Sequence, residues 1–204
     1  AKEVTEGPAV LLDHADNCGS GATQDCMTVI AEVLRQGLED VAVATVWDPA
    51  AVAAMADAGI GARVMLDLGG HTDMPSIGLG GHPLWVEGRV ENLTDGQFTV
   101  EGPMYTGMAV SMGPTAVLTF GNVTVVVLSR TVSLFDRALY YANGCNPRDY
   151  DLTVVKSPHT EFHMYDAWVE KNFNIDAPGA TSADLCSLGH TICARPMYPM
   201  EPDT

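Results

Sequence analysis

Two patterns of apolar and polar positions follow each other in turn over the first third of the chain: short continuous apolar runs, and apolar positions at helical spacing. Short apolar runs predict three buried β-strands, over residues 9–14, 41–47 and 63–68. Apolar positions at helical spacing predict a helix between each pair of strands, over residues 24–36 and 49–58. Gly37 and Gly59 follow these helices as stop signals. Because strand and helix alternate through short connections, this part predicts a parallel sheet with right-handed crossovers.

The pattern changes over residues 69–130, where glycine clusters and period-two alternation replace the helical spacing. Turn residues predict two hairpins there, one joining Trp85–Glu91 to Phe98–Val100 and one joining Ala116–Phe120 to Val123–Leu128. Helix and strand patterns then return. They predict a helix from Ser133, a strand at 153–156, a helix at 159–173 and a last strand at 174–177.

These patterns predict an α/β fold: a mainly parallel sheet flanked by helices, with an inserted antiparallel β subdomain. We expect a single domain over residues 1–204. Its parts are an α/β portion at 1–68 and 131–194, a β-rich insertion at 69–130 and an extended tail at 195–204.

The net charge of the chain argues against two classes of binding partner. The chain carries 26 acidic and 10 basic side chains, a formal net charge of −16, which would repel a nucleic-acid backbone or an anionic membrane. Five cysteines at irregular spacing suggest free thiols. The first residues do not resemble a signal peptide, and we therefore expect a cytoplasmic protein that binds neither nucleic acid nor membrane.

The segment DHADNCGSGATQD, residues 13–25, is the first candidate site. It lies between a predicted strand and a predicted helix, where phosphate-binding loops are found. It is not a G-x-G-x-x-G loop, because Gln24 takes the place of the third glycine, and it has no Walker lysine. Two interpretations remain: a tight turn capped by its own Asp and Asn side chains, or an acidic loop that receives an amine or a metal-bound water.

Metal and thiol chemistry give weaker candidates. His159 and His163 share one helix face at i and i+4 and could seat zinc, although H-T-E-F-H differs from H-E-x-x-H. Three further residues of soft-ligand type form C-x3-H-x2-C without a fourth ligand, at Cys186, His190 and Cys193. Cys18 precedes the predicted helix, but its acidic neighbours oppose a reactive thiolate.

Several segments, in order along the chain, resemble the C-terminal domain of the MlrC family, the microcystinase-C-like M81 metallopeptidases. They are residues 13–25, Trp47-Asp48-Pro49, residues 57–62, Leu68-Gly69-Gly70, Val154-Val155-Lys156-Ser157 and residues 176–180. The resemblance runs from about Gly7 to Pro199. Cys18, Ser20 and Thr23-Gln24 depart from the family's usual proline and glycines, which points to an altered substrate.

The resemblance implies a zinc-dependent hydrolase of amide bonds in small or linearised peptides. In that family a larger N-terminal domain carries the zinc ligands and the catalytic carboxylate. The expected cofactor is therefore zinc in the intact enzyme, held outside this chain, and the expected partners are an N-terminal catalytic domain or subunit and a small peptide or amide substrate. Whether the protein forms a homo-oligomer is left open.

The resemblance and the glycine loop together predict a substrate-facing role for one set of residues. They are Asp16, Asn17, Gly19, Ser20, Gly21 and Asp25, with His159 and His163 as a second contribution. No catalytic or metal-binding residue is assigned. Two alternatives remain: a non-catalytic subunit that stabilises a partner and exposes an apolar patch to it, or a self-contained metal site at His159 and His163.

Overall fold

A computed structural model describes residues 8–157, 169, 171–186, 189–198 and 200–201. Its central feature is an eight-stranded sheet with the strand order β10-β1-β9-β2-β8-β7-β4-β3. These strands are β1 (Ala9–Asp13), β2 (Val41–Trp47), β3 (Arg63–Leu68), β4 (Leu84–Thr94), β7 (Thr115–Phe120), β8 (Val123–Leu128), β9 (Leu152–Val155) and β10 (Lys171–Ile175). A separate small hairpin pairs β5 (Gln97–Thr99) with β6 (Ala109–Ser111).

Five strands, from β10 to β8, run parallel. The inner four, β1, β9, β2 and β8, are mostly apolar, as expected of strands covered on both faces; all but the last residue of Val41–Trp47, for example, are buried. β7, β4 and β3 continue the sheet in antiparallel pairs. The predicted fold class, a mainly parallel α/β sheet with an antiparallel part, is confirmed, and the antiparallel strands extend the main sheet directly.

The observed bounds of α2 agree with its capping signals in the sequence, whereas those of α1 do not agree with the prediction. α2 (Pro49–Ala58) begins after Asp48, whose side chain accepts a hydrogen bond from the backbone of Ala51, and ends at Gly59. α1 (Thr28–Arg35) begins four residues later than predicted. Gln24 has a φ of 63°, which a helix does not allow, because the backbone here turns around the Asp16 carboxylate.

Three predictions about partners and lengths were wrong. β3 does not lie among the parallel strands, since its partner is β4 in an antiparallel pair. The predicted hairpin after Trp85 does not form, because β4 pairs with β3 and β7 while β5 pairs with β6. The helix expected from Ser133 is reduced to α3 (Ala138–Tyr141), beginning after Asp136, which accepts a hydrogen bond from the Ala138 backbone.

The other hairpin, between β7 and β8, is confirmed, with Gly121 in its turn at a φ of 54°. Most of the predicted helix at 159–173 lies outside the described residues, but its last residues belong to β10. This strand also begins and ends earlier than the predicted 174–177.

Side chains of the sheet pack into one apolar cluster on each face. α1 and α2 cover the first face, where Ile30 and Met55 are fully buried. α3 and the β5–β6 hairpin cover the second, with Leu139 and Met112. Within the described part of the chain, no helix has the length and apolar character needed to cross a membrane.

Candidate functional site

The loop that joins β1 to α1 lies at the carboxyl ends of the parallel strands. Lys156, which follows β9, and Asp48, which follows β2, lie at the same edge because both strands run parallel to β1. Open α/β sheets bind their ligands at this edge, where loops and helix N-termini converge. This edge is therefore the candidate functional site.

Asp16 is the centre of the loop's hydrogen bonding. Its Oδ1 accepts from the backbone N–H of Gln24 at 2.7 Å, and its Oδ2 accepts from the backbone N–H of Cys26 at 2.9 Å. The Nζ of Lys156 donates to the same Oδ2 at 2.6 Å, and both side chains are 0% exposed. Lys156 Nζ also donates to the Cys26 carbonyl at 2.5 Å. The acidic loop therefore binds a lysine of its own chain.

Asp13 is a second carboxyl in this buried cluster. Its Oδ1 accepts from the backbone N–H of Ala15 at 3.2 Å, whereas its Oδ2 is buried without a hydrogen-bond partner. Burial is the largest cause that raises the pKa of Asp13; Lys156 opposes this shift and Asp16 adds to it. Burial on its own would lower the pKa of Lys156, but the charges of Asp16 and Asp13 outweigh it and raise that pKa. Burial thus favours the neutral form of the Asp13 carboxyl, while the neighbouring carboxylates favour the charged form of Lys156.

Two further aspartates tie the loop to the segment after β3. Asp25 Oδ2 accepts from the backbone N–H of Thr72 at 3.0 Å. Asp48 Oδ2 accepts from the backbone N–H of Gly69 at 2.9 Å, and the Nε2 of His71 lies 3.3 Å from it. These carboxylates are acceptors for backbone groups, and their hydrogen bonds link the glycine loop and the end of β2 to the segment after β3.

The tip of the loop is the part that solvent reaches. Cys18–Ser20 forms a 3-10 turn, and the side chain of Asn17 caps it by accepting from the backbone N–H of Gly19 at 3.0 Å. Asn17 Nδ2 donates to the Ser20 Oγ at 2.9 Å. Gly19, Ser20 and Gly21 are exposed, and Gly21 has a φ of 103°. The Ser20 Oγ accepts this hydrogen bond, and no acceptor for its own O–H is found within the described residues.

Gln24 connects the loop to two other segments. Its Nε2 donates to Thr45 Oγ1 at 2.7 Å and to the Val132 carbonyl at 3.0 Å, and its Oε1 accepts from the Val132 N–H at 3.3 Å. In the sequence, Gln24 stands out only because it occupies a position where a glycine motif would have glycine. Its full burial shows instead that it is a structural residue of this loop.

The structure places the predicted site residues in two groups. Asp16, Asn17 and Asp25 are buried and hydrogen-bonded within the chain, while Gly19, Ser20 and Gly21 form the exposed tip. His159 and His163 lie outside the described residues, and their role stays a prediction. The substrate-facing role of the whole set likewise stays a prediction.

Lys156 is the site residue that sequence reasoning missed as a functional element. The signal was present: a lysine directly after the apolar run Thr153-Val154-Val155, in a chain with few basic residues. A charged group that ends a buried strand needs a partner of opposite charge, and the acidic loop is the nearest source of one.

Neither a lowered pKa at Cys18 nor a cluster of metal ligands is found among the described residues. Burial, followed by the charge of Asp16, raises the pKa of Cys18 to about 11, so its thiol is protonated at neutral pH. Cys186 and His190 are exposed on the tail. No group of three His, Cys, Asp or Glu side chains in the described part of the chain could hold a metal ion.

Comparisons with known proteins agree with this architecture. Residues 11–191 match the family model described as the MlrC C-terminus. Microcystinase C of Sphingomonas sp is 28% identical over 161 residues, which is 77% of this chain and 29% of that protein. The crystal structure of the "Putative metallopeptidase" from Mesorhizobium sp. BNC1 has a TM-score of 0.78 and 26% identity, and the match covers 97% of this chain and 39% of that one.

The chain thus spans well under half the length of either relative. The family match, in contrast, extends over most of the chain, from the middle of β1 to residue 191, beyond β10. The chain belongs to the MlrC C-terminus family.

Proposed function

We propose that this chain is the substrate-cleft-forming C-terminal part of a zinc-dependent hydrolase of peptide or amide bonds, and that an N-terminal catalytic domain or subunit holds the zinc. The observation that carries this proposal is the exposed Gly19–Gly21 tip at the carboxyl edge of the parallel strands, held by the buried Asp16–Lys156 pair. Family membership and the greater length of the relatives support the assignment of substrate binding to this chain and of zinc binding to an N-terminal part.

The described residues do not fit a zinc ion. The carboxylates at this edge already accept hydrogen bonds from the backbone or from Lys156, as Asp16 and Asp48 do. Zinc needs three or four deprotonated ligands that converge on one point, and the described part of the chain offers no such group. No chemical step through zinc is therefore assigned to these residues.

The residues of the tip can bind a peptide backbone. Ser20 Oγ accepts from Asn17 Nδ2, so its own O–H is left to donate to a substrate carbonyl. Gly21 has open space where a Cβ would be, and exposed glycines allow close approach of another backbone. Asn17, Asp16 and Asp25 act as positioning residues that hold the tip, and His159 and His163 are proposed as a second contribution to substrate binding.

The first test is elemental metal analysis of the chain purified without chelators, together with a hydrolysis assay on small linear peptides. The chain alone should hold no stoichiometric zinc and cleave nothing. Stoichiometric zinc with activity would overturn the division of labour and favour a self-contained site, with His159 and His163 as its first candidates.

The second test uses the assembled hydrolase. Ser20→Ala should raise KM about tenfold through loss of one substrate hydrogen bond, with little effect on stability. Thr99→Ala, which removes an exposed hydroxyl on β5, is the matched control and should leave the kinetics unchanged. Unchanged kinetics in Ser20→Ala would favour the alternative function, a non-catalytic domain that only stabilises its partner.

A further inference from the structure

An apolar groove of about 570 Å³ runs along the first face of the sheet, between α1 and the outer strand β10. Leu11 of β1 and Phe173 and Ile175 of β10 form its floor. Val29 and Val33 of α1 form its wall. This groove lies outside the glycine loop, although Pro178 and its neighbours line the groove at the carboxyl edge of the sheet.

The described elements leave this part of the sheet uncovered. Leu11, Phe173 and Ile175 pack against the first-face cluster but are only partly buried. Val169, the described residue before β10, packs against the cluster of the opposite face. After β10 the backbone turns toward the glycine loop, where Thr181 N–H donates to the Ala15 carbonyl at 3.0 Å.

We propose that this groove is the docking site for the N-terminal part that the relatives possess, through an apolar segment of that part. This inference rests on the proposed function, because it concerns the same N-terminal catalytic partner. The length of the relatives is the first argument: the matched region is 29% of Microcystinase C and 39% of the Mesorhizobium protein, so each has a large additional portion.

The position of β1 is the second argument. β1 begins at Ala9, whose register partner on β10 is Lys171, a residue that lines the groove. Leu38 lines the same groove, and the neighbouring segment Asp40–Val41 meets Leu152, the other register partner of Ala9. β1 therefore begins at one end of the groove, and the groove leads from there to the edge that carries the glycine loop.

Charge indicates which kind of segment fits. Glu32 and Asp176 stand at the rim and Lys171 at one end, in a chain with a net charge of −16. A segment with an apolar face and flanking basic side chains would complement both the floor and the rim.

The polar rim of the groove allows a matched test. Thr28, Glu32 and Gln36 recur every four residues along the side of α1 that lines the groove, whereas Arg35 does not line it. Glu32→Trp would place an indole in the groove, and Arg35→Trp would place it outside. Both variants break the exposed Glu32–Arg35 ion pair, so that loss cancels in the comparison.

The probe is the portion of Sphingomonas Microcystinase C outside the matched region, with that protein's own C-terminal region as the positive control. Calorimetric titration should show binding of the present chain, weakened at least about tenfold by Glu32→Trp and less than about twofold by Arg35→Trp. Phe173→Glu should weaken binding similarly, with Met65→Glu on exposed β3 as its control. Circular dichroism confirms that each variant is folded.

Three results would overturn the docking site: no binding where the positive control binds, equal weakening by both tryptophan variants, or a dimer of the chain alone that Glu32→Trp dissociates. Failure of the proposed function is a separate result. It would be a groove-dependent complex that contains zinc but cleaves no peptide or amide substrate.

Discussion

Removal of the lysine from the buried pair gives the most direct test of the loop's architecture. Lys156→Met keeps most of the aliphatic stem but leaves the Asp16 carboxylate, 0% exposed, without its cation and the Cys26 carbonyl without its donor. Breaking a buried pair from one side costs about 3–5 kcal/mol of unfolding free energy. For a chain of this size that lowers Tm by roughly 6–20 °C.

Urea unfolding followed by tryptophan fluorescence measures this cost. Lys171→Met, which removes an exposed lysine of β10, is the matched control and should leave the midpoint unchanged. Asp16→Asn should also destabilise the fold, and the double variant Lys156→Met/Asp16→Asn should cost less than the sum of the single variants by more than about 1 kcal/mol. Strict additivity, or a loss below about 1 kcal/mol in Lys156→Met, would refute the buried pair.

The pH dependence of that difference is also fixed by the structure. The pKa of Lys156 is raised from its ordinary value of 10.5, because the carboxylates outweigh the effect of burial. A raised lysine pKa means that the stabilising contribution is complete below 10.5 and is lost only as the pH rises through the higher folded value. The charged lysine should therefore keep its stabilising contribution from neutral pH to about pH 10, and the parent should stay more stable than Lys156→Met throughout this range.

Three further predictions concern single residues. The pKa of Asp13 is raised from 3.8, mainly by burial, so its contribution falls as the pH rises above that value; Asp13→Asn should flatten this decline in urea midpoints. Cys18, with a pKa of about 11, should react with iodoacetamide at neutral pH far more slowly than exposed Cys186, as peptide mass spectrometry can measure. Gly69→Ala should lower the free energy of unfolding by about 2–4 kcal/mol, because a Cβ there would clash with Met27 and Asp25 and the backbone has a φ of 54°. Gly78→Ala has open space for its Cβ and should lower it by only about 1 kcal/mol. Equal losses for the two variants in thermal unfolding would contradict this reasoning.

Local signals predicted the elements whose structure depends on near neighbours. The run Val41–Trp47 became a strand with the predicted bounds, and Asp48-Pro49 began α2 as a cap and first-turn proline do. The strand Arg63–Leu68 also has its predicted bounds, but its neighbour was wrong. Strand pairing depends on contacts distant in sequence, and an alternating pattern does not encode them.

The candidate site shows the same limit. The sequence indicated an unusual loop after β1. It was compatible both with a turn capped by its own Asp and Asn side chains and with an acidic loop that receives an amine or a metal-bound water. Lys156 decides the orientation of Asp16, yet it is 140 positions away along the chain. Gln24 likewise reaches Val132, 108 positions away. The parallel arrangement of β1 and β9 brings Asp16 and Lys156 together.

The separation of Asp16 from Lys156 has a consequence for synthesis of the protein. The ribosome makes Asp13 and Asp16 long before it makes Lys156, the lysine that pairs with Asp16. Until β9 emerges and docks beside β1, Asp16 has only the backbone N–H groups of Gln24 and Cys26 as partners, and no cation offsets the repulsion between the carboxylates. A nascent chain halted before residue 156 should therefore carry a loop that proteases cut more readily than the loop of the complete chain, because the base of the tip lacks its buried pair.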